Sequence, residues 1–233
     1  MICPFGYSLS TVARRLRFLV LVVLLLAARR ASADDWQLTG TNNGITIYKR
    51  AVPGSAIVAL KGEGIVDAPV WKVASVLLDT ARAQEWVDSL KQSRVVRRLS
   101  LTSYIEYNHL GLPLIIKDRD FVSQVQIDVN DEDRSVALIY KPTDDSSVST
   151  THNVRGEILA GTFLARSIEP GHRTQLTAEI HCDPKGALPA WIVNLFQRRW
   201  PQNTFEGIRR QAAKPDVAMP DEFKDVLGPT RRY

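Results

Sequence analysis

The residues of positions 34–233 whose types suit metal ligation or nucleophilic catalysis are few: His109, His152, His172, His181 and Cys182. No two of the histidines stand at i, i+4, and one cysteine cannot build a zinc cluster. His181 and Cys182 are neighbours in a strand-like run, so their side chains point to opposite faces and form no nucleophile–base pair. Cys182 shares its parity with Leu176, Ala178 and Ile180 and reads as a small core hydrophobe. There is no Gly-x-Ser-x-Gly elbow, no phosphate-cradling glycine loop and no His-Glu-x-x-His. The sequence therefore implies no metal and no cofactor.

The segment 119–129 says more. One parity carries Arg119, Phe121, Ser123, Val125, Ile127 and Val129; the other carries Asp120, Val122, Gln124, Gln126 and Asp128. The first is the inward set, and it contains an arginine. A buried guanidinium must be paired, because an unpaired buried charge costs several kcal/mol. It is either a structural ion pair with an acid at the strand end or a cationic point that meets a ligand's polar head.

The elements that position these residues are mostly strands. Alternation marks 44–49 and 57–66, and further strand runs cover 94–99, 103–109, 119–129, 135–140, 157–167 and 174–182. Asp67-Ala68-Pro69 opens a short helix, with Asp67 as its cap. Pro189 starts a long one, with Trp191, Ile192, Leu195 and Phe196 on the face that covers the sheet. Pro201 predicts a kink in it before Phe205. Residues 214–233, with three prolines and little periodicity, read as a flexible tail. Short connections favour an antiparallel sheet. The expected fold is α+β, a curved antiparallel sheet wrapped around a long C-terminal helix with an apolar cavity between them.

Charge is distributed unevenly. The chain has 233 residues, 30 Lys and Arg against 25 Asp and Glu, and a pI near 9.3. Arg14, Arg15, Arg17, Arg29 and Arg30 lie in residues 1–33, which hold no acid, so the body is formally neutral. A neutral body offers no general attraction for a phosphate backbone, which argues against nucleic acid as a partner. The arginines of the leader flank the apolar run 18–28 and precede Ala31-Ser32-Ala33, the pattern of a signal peptide cleaved after Ala33. Eleven apolar residues span about 16 Å, half of a hydrocarbon core, so an uncleaved leader would be an interfacial anchor. Cleavage removes Cys3 and leaves Cys182 alone, so the exported domain has no internal disulfide.

Several runs carry a family resemblance. Lys117-Asp118-Arg119-Asp120-Phe121-Val122, then Asp183-Pro184-Lys185-Gly186-Ala187-Leu188-Pro189-Ala190-Trp191-Ile192-Val193-Asn194, resemble the START (steroidogenic acute regulatory protein-related lipid-transfer) domain. Leu78-Asp79 with Arg82 and Trp86, the opening strand Gly44-Ile45-Thr46-Ile47-Tyr48, and Pro201 in the last helix are similar as well. The resemblance spans about residues 36–212. It implies a helix-grip domain, non-enzymatic by default, whose tunnel holds one lipid or other hydrophobic molecule. Val125 is apolar where some sterol-binding relatives keep a cavity arginine, so the resemblance does not extend to sterol specificity. The strand around Ala160-Gly161-Thr162 also lacks the serine–glycine step of many relatives.

The expected function is binding of a lipid or other hydrophobic small molecule, for transfer or sensing outside the cytoplasm, in the periplasm or after secretion. The expected lining residues are Trp86, Tyr107, Arg119, Phe121, Val125, Trp191 and Leu195. A tightly packed interior would count against this reading. The alternative is a cyclase- or hydrolase-like enzyme acting on a hydrophobic substrate in the same cavity, drawing on Glu106, Tyr107 or Arg119. A monomer is expected, with transient membrane contact through Arg198, Arg199, Arg209 and Arg210.

Overall fold

The computed structural model describes residues 35–112, 116–145, 147–148, 152–169 and 171–227. The expected signal peptide and its cleavage point lie outside them.

Among the described residues ten strands form one sheet. They are β1 (Gln37–Asn42), β2 (Ile45–Arg50), β3 (Ala59–Val66), β4 (Leu90–Ser100), β5 (Ser103–Leu110), β6 (Arg119–Asn130), β7 (Ser135–Pro142), β8 (Val154–Arg155), β9 (Glu157–Glu169) and β10 (Arg173–Asp183). The order across the sheet is β1-β2-β3-β10-β9-β7-β6-β5-β4, antiparallel throughout, with the two-residue β8 pairing parallel to β6. Nine residues between β3 and β4 form helix α1 (Val70–Leu78), followed by a 3-10 turn over Thr80–Glu85. After β10 come α2 (Ala190–Gln197), α3 (Trp200–Ala212), and a 3-10 turn (Asp221–Phe223) leading into the one-turn α4 (Lys224–Leu227).

The inner face carries the main core, with Ile45, Val66, Val125, Leu138, Ala165 and Leu176 packed against Phe205 and Ile208 of α3 and against α1. Phe205 sits where β3 offers Gly62 and Gly64 instead of side chains: a Cβ on Gly62 would stand 2.9 Å from its ring. The outer face has a second, smaller cluster of Ile105, Tyr107, Val122 and Val148. Val148 comes from the segment that follows β7, so the strands beneath it are buried on both faces.

Three expectations are corrected. Asp67 does not cap α1, whose N-cap is Pro69; its carboxylate instead meets Arg173 at 3.0 Å. The last helix is not one kinked rod but two helices broken at Arg198 and Arg199. Pro201 falls in the first turn of α3, where its missing N–H is no loss. The tail is not loose as far as it is described: Met219 and Phe223 are buried in the main core, and Phe223 packs on Tyr104 at 5.7 Å between ring centroids. A single aromatic anchor among prolines leaves no periodic signal.

Candidate functional site

Register fixes what faces the interior. Tyr104 of β5 lies opposite Val125 of β6, then Tyr140 of β7, Gly161 of β9 and Ile180 of β10. The row on one side is Ile127, Leu138, Phe163 and Ala178; the row on the other is Glu106 opposite Ser123. Tyr140 and Phe163 stack edge-on at 6.0 Å, and Phe163 meets Trp200 at the start of α3 at 6.1 Å.

These three aromatic residues differ from the core beneath α3, which is close-packed. Tyr140, Phe163 and Trp200 are only partly buried. Yet burial pushes the Tyr140 phenol well above its ordinary value of 10, with the Glu106 carboxyl adding to the shift. The three rings thus form a partly buried aromatic run on the inner face, reaching from β7 across β9 to the start of α3. A concavity of about 380 Å³ lies between the 3-10 turn and α3, but Glu85, Asp88, Asn203, Glu206 and Arg210 make its lining polar.

Glu106 is 6% exposed. It accepts hydrogen bonds from Ser93, 3.1 Å away, and from Asn108, while burial pushes its carboxyl up to about 7. Among the described residues, its Oε2, the Ser123 hydroxyl and the Tyr104 hydroxyl find no hydrogen-bond partner.

The expected lining residues separate into groups. Val125 is central to the inner face, and Trp86 belongs to the same core, its carbonyl against Gly207 of α3. Phe121 is buried on the inner face against Gly156. Tyr107 is not in the interior; it lies in the outer cluster, with its hydroxyl 3.4 Å from Asp120. Both parities of β5 are buried, so alternation could not tell Tyr107 from Glu106. Glu106, placed in the sequence only as a catalytic candidate, is the inward one. Its signal was an acid sharing the parity of Tyr104.

Trp191 and Leu195 face outward, 67% and 45% exposed, as does Phe196 at 55%. The side of α2 toward the sheet is held by polar groups instead. Asn194 accepts from the Val58 N–H and donates to the Ala56 carbonyl, both at 3.1 Å, and Gln197 donates to the Cys182 carbonyl at 3.0 Å. Val193 is the buried apolar residue of this helix.

Arg119 is buried, and neither sequence reading describes its bonds. It donates to the carbonyls of Pro184 and Lys185 at 3.2 Å and to that of Lys117. It therefore clamps the turn that leads into α2. Its neighbours act alike. Asp118 accepts from Lys91 at 2.7 Å and lies 2.9 Å from His109, while Asp120 takes the Arg155 guanidinium at 2.6 Å. The Lys117–Phe121 run is thus a structural knot at one end of the grip.

The reactive types are quiet. Burial pushes the Cys182 thiol up to about 12. His181 lies 3.1 Å from the Ser55 hydroxyl, but that hydroxyl is engaged with Ile57 of its own turn. Among the described residues no cluster of His, Cys, Asp and Glu has the arrangement of a metal site.

The START domain family model matches residues 21–210. An uncharacterised protein of Pseudomonas aeruginosa is 24% identical over 200 residues, covering 85% of this chain and 98% of its own. The crystal structure of human STARD10 superposes with a TM-score of 0.71 at 19% identity, over 85% of this chain and 80% of that one. A STAR-related lipid transfer protein of Xanthomonas axonopodis superposes with a TM-score of 0.68 at 22% identity, over 78% of this chain and all of that fragment. These likenesses establish the helix-grip fold.

Proposed function

Since the chain belongs to the START domain family, we propose that it binds a lipid or other hydrophobic small molecule inside the grip, for transfer or sensing outside the cytoplasm. The observation that carries this reading is the partly buried aromatic run of Tyr140, Phe163 and Trp200, in which burial raises the Tyr140 phenol. Apolar walls with a few polar groups at one end are what a hydrophobic ligand requires. The similar protein of Xanthomonas axonopodis is described as a lipid transfer protein, in keeping with this reading. The leader, with its arginines and apolar run, supports export, and a monomeric carrier needs no second chain.

A carrier must meet membranes. Trp191, Leu195 and Phe196 present apolar surface to solvent at the end of the grip, next to the exposed Arg198 and Arg199. Such a surface suits the interface of an anionic membrane. Among the described residues no helix is long and apolar enough to cross one.

Native mass spectrometry of the purified protein, followed by organic extraction, tests the reading. The expected result is one hydrophobic molecule per chain. A chain that stays empty after incubation with phospholipids, sterols and fatty acids would overturn it. The enzymatic alternative draws on Glu106 as an acid of pKa about 7. It predicts that the co-purified molecule is converted on incubation and that Glu106→Gln stops the conversion while leaving binding intact.

A further inference from the structure

We infer that residues 214–227 form a strap that opens independently of α3, and that its opening admits an apolar molecule to the inner face at the β4–β5 edge. The strap follows the residues that carry the family match. It reaches from α1 to the edge of the sheet. At α1 the Ser75 hydroxyl donates to the Met219 sulfur at 3.8 Å. At the edge Phe223 packs on Tyr104 of β5, and the Arg98 guanidinium of β4 lies 4.2 Å from the centre of the Phe223 ring. Arg98 and Tyr104 are cross-strand partners, and Tyr104 begins the inner row that continues through Val125 to Tyr140. Phe223 is thus the side chain that the strap lays on the inner face.

The way the strap is held sets it apart from the rest of the core. Over 213–225 the buried residues are Met219 and Phe223; Lys214, Val217 and Pro220 are half-buried and the others exposed. The Phe223 N–H bonds to the Pro220 carbonyl, inside the strap itself. Among the described residues no backbone-to-backbone hydrogen bond joins 215–225 to a strand or to α1. The ion pairs Lys214–Glu85, Arg82–Asp216 and Arg98–Glu222, at 2.6, 3.1 and 3.6 Å, all reach solvent, where such pairs hold weakly. By contrast α3 buries seven residues and lies against the backbone of Trp86. A segment with two buried anchors and no ladder bonds opens at lower cost than the helix before it. Lifting it uncovers the Tyr104 ring and the core around it, an apolar opening that suits a hydrophobic molecule. The opening is a property of the strap and holds whatever the natural ligand is.

The test uses the full chain, stripped of bound lipid, as parent, Phe223→Ala and Arg98→Gln. Oxidation of Met219 by dilute hydrogen peroxide, read by peptide mass, reports opening of the strap. Alkylation of the buried Cys182 by N-ethylmaleimide, read the same way, reports opening of the body. Fluorescence of the uncharged probe N-phenyl-1-naphthylamine reports entry. A site that is competent only when the strap is open has an apparent affinity proportional to the open fraction. Phe223→Ala is therefore expected to speed Met219 oxidation and to tighten probe binding by the same factor, about tenfold or more, while Cys182 stays slow. Arg98→Gln, which keeps the ring, should raise both in step by a smaller factor. Met219 oxidation that rises only together with Cys182 alkylation, as urea is added to the parent, overturns the inference. So does tighter probe binding without faster oxidation, which is a probe filling the space the ring left, or faster oxidation without tighter binding. If Phe223→Ala does not fold, the urea series on the parent and the Arg98→Gln comparison decide by the same criteria.

Discussion

Glu106 occupies a place where its charged form has no countercharge, and folding must absorb that. Its carboxyl titrates near 4.5 in an open chain and near 7 in the fold. Between those values the folded state binds the extra proton. Its contribution is therefore fully present below about pH 4.5 and is lost as pH rises through about 7. The inner-row phenols of Tyr104 and Tyr140 are both raised well above 10 and do not titrate in that window. A shift of this size corresponds to about 3 kcal/mol. Glu106→Gln should therefore be more stable than the parent at pH 8, by up to about 3 kcal/mol, and close to it at pH 4.5. Urea unfolding of both proteins at the two pH values measures this. A stability difference that does not change with pH would place a counterion beside Glu106. Arg119 shows the opposite solution to the same problem, with backbone carbonyls instead of a carboxylate surrounding its buried charge.

Among the elements, α3 shows how closely helix and sheet approach. Its Gly207 lies against the backbone of Trp86: a Cβ there would stand 2.2 Å from the Trp86 carbonyl oxygen. In an open helix Gly→Ala stabilises by about 1 kcal/mol. Here the sign reverses, because the obstacle is backbone and cannot rotate away. Overpacking of this kind costs about 1–3 kcal/mol, and more when neither partner can yield. Gly207→Ala should lower the melting temperature by several degrees, as read by calorimetry, and an unchanged or raised value would mean that α3 is free to lift off the sheet. Eight of the ten described strands are legible as runs of alternation; β1, exposed along its whole length, and the two-residue β8 are not, and neither is the register between strands. The helices were less so. The sequence places Trp191 and Leu195 on one helical stripe, and a stripe normally faces the core. What turns α2 over is Asn194 and Gln197, whose bonds go to backbone groups, those of Asn194 to residues far away in the chain. The partners of Arg119 were hidden for the same reason, since carbonyl acceptors have no side-chain signature. Glu106 was visible as an acid on a strand, but burial of β5 on both faces concealed the side it chose.

For the whole molecule, the basic pI says little about partners, because residues 1–33 carry the surplus charge and the body is formally neutral. Attraction to an anionic surface must therefore be local. On the proposed reading the end of the grip would supply it, with three exposed apolar side chains on α2 and two arginines at its C-terminal break. The same break leads into Trp200, which packs on Phe163 of the inner face at 6.1 Å, so on the proposed reading a membrane-bound orientation would bring the bilayer to the aromatic run. Each basic residue near an anionic surface contributes about 1 kcal/mol, so Arg198 and Arg199 together are worth roughly thirtyfold in partitioning. Vesicles of phosphatidylcholine with and without phosphatidylglycerol, pelleted with the full chain, separate the two contributions. Arg198→Gln with Arg199→Gln should remove most of the preference for the anionic vesicles, and added salt should weaken that preference in the parent. Trp191→Ser with Phe196→Ser should reduce binding to both kinds of vesicle, because burial of apolar surface does not depend on lipid charge. If the serine substitutions leave both affinities unchanged, the exposed face of α2 is not the docking surface, and ligand exchange must proceed through another side of the grip.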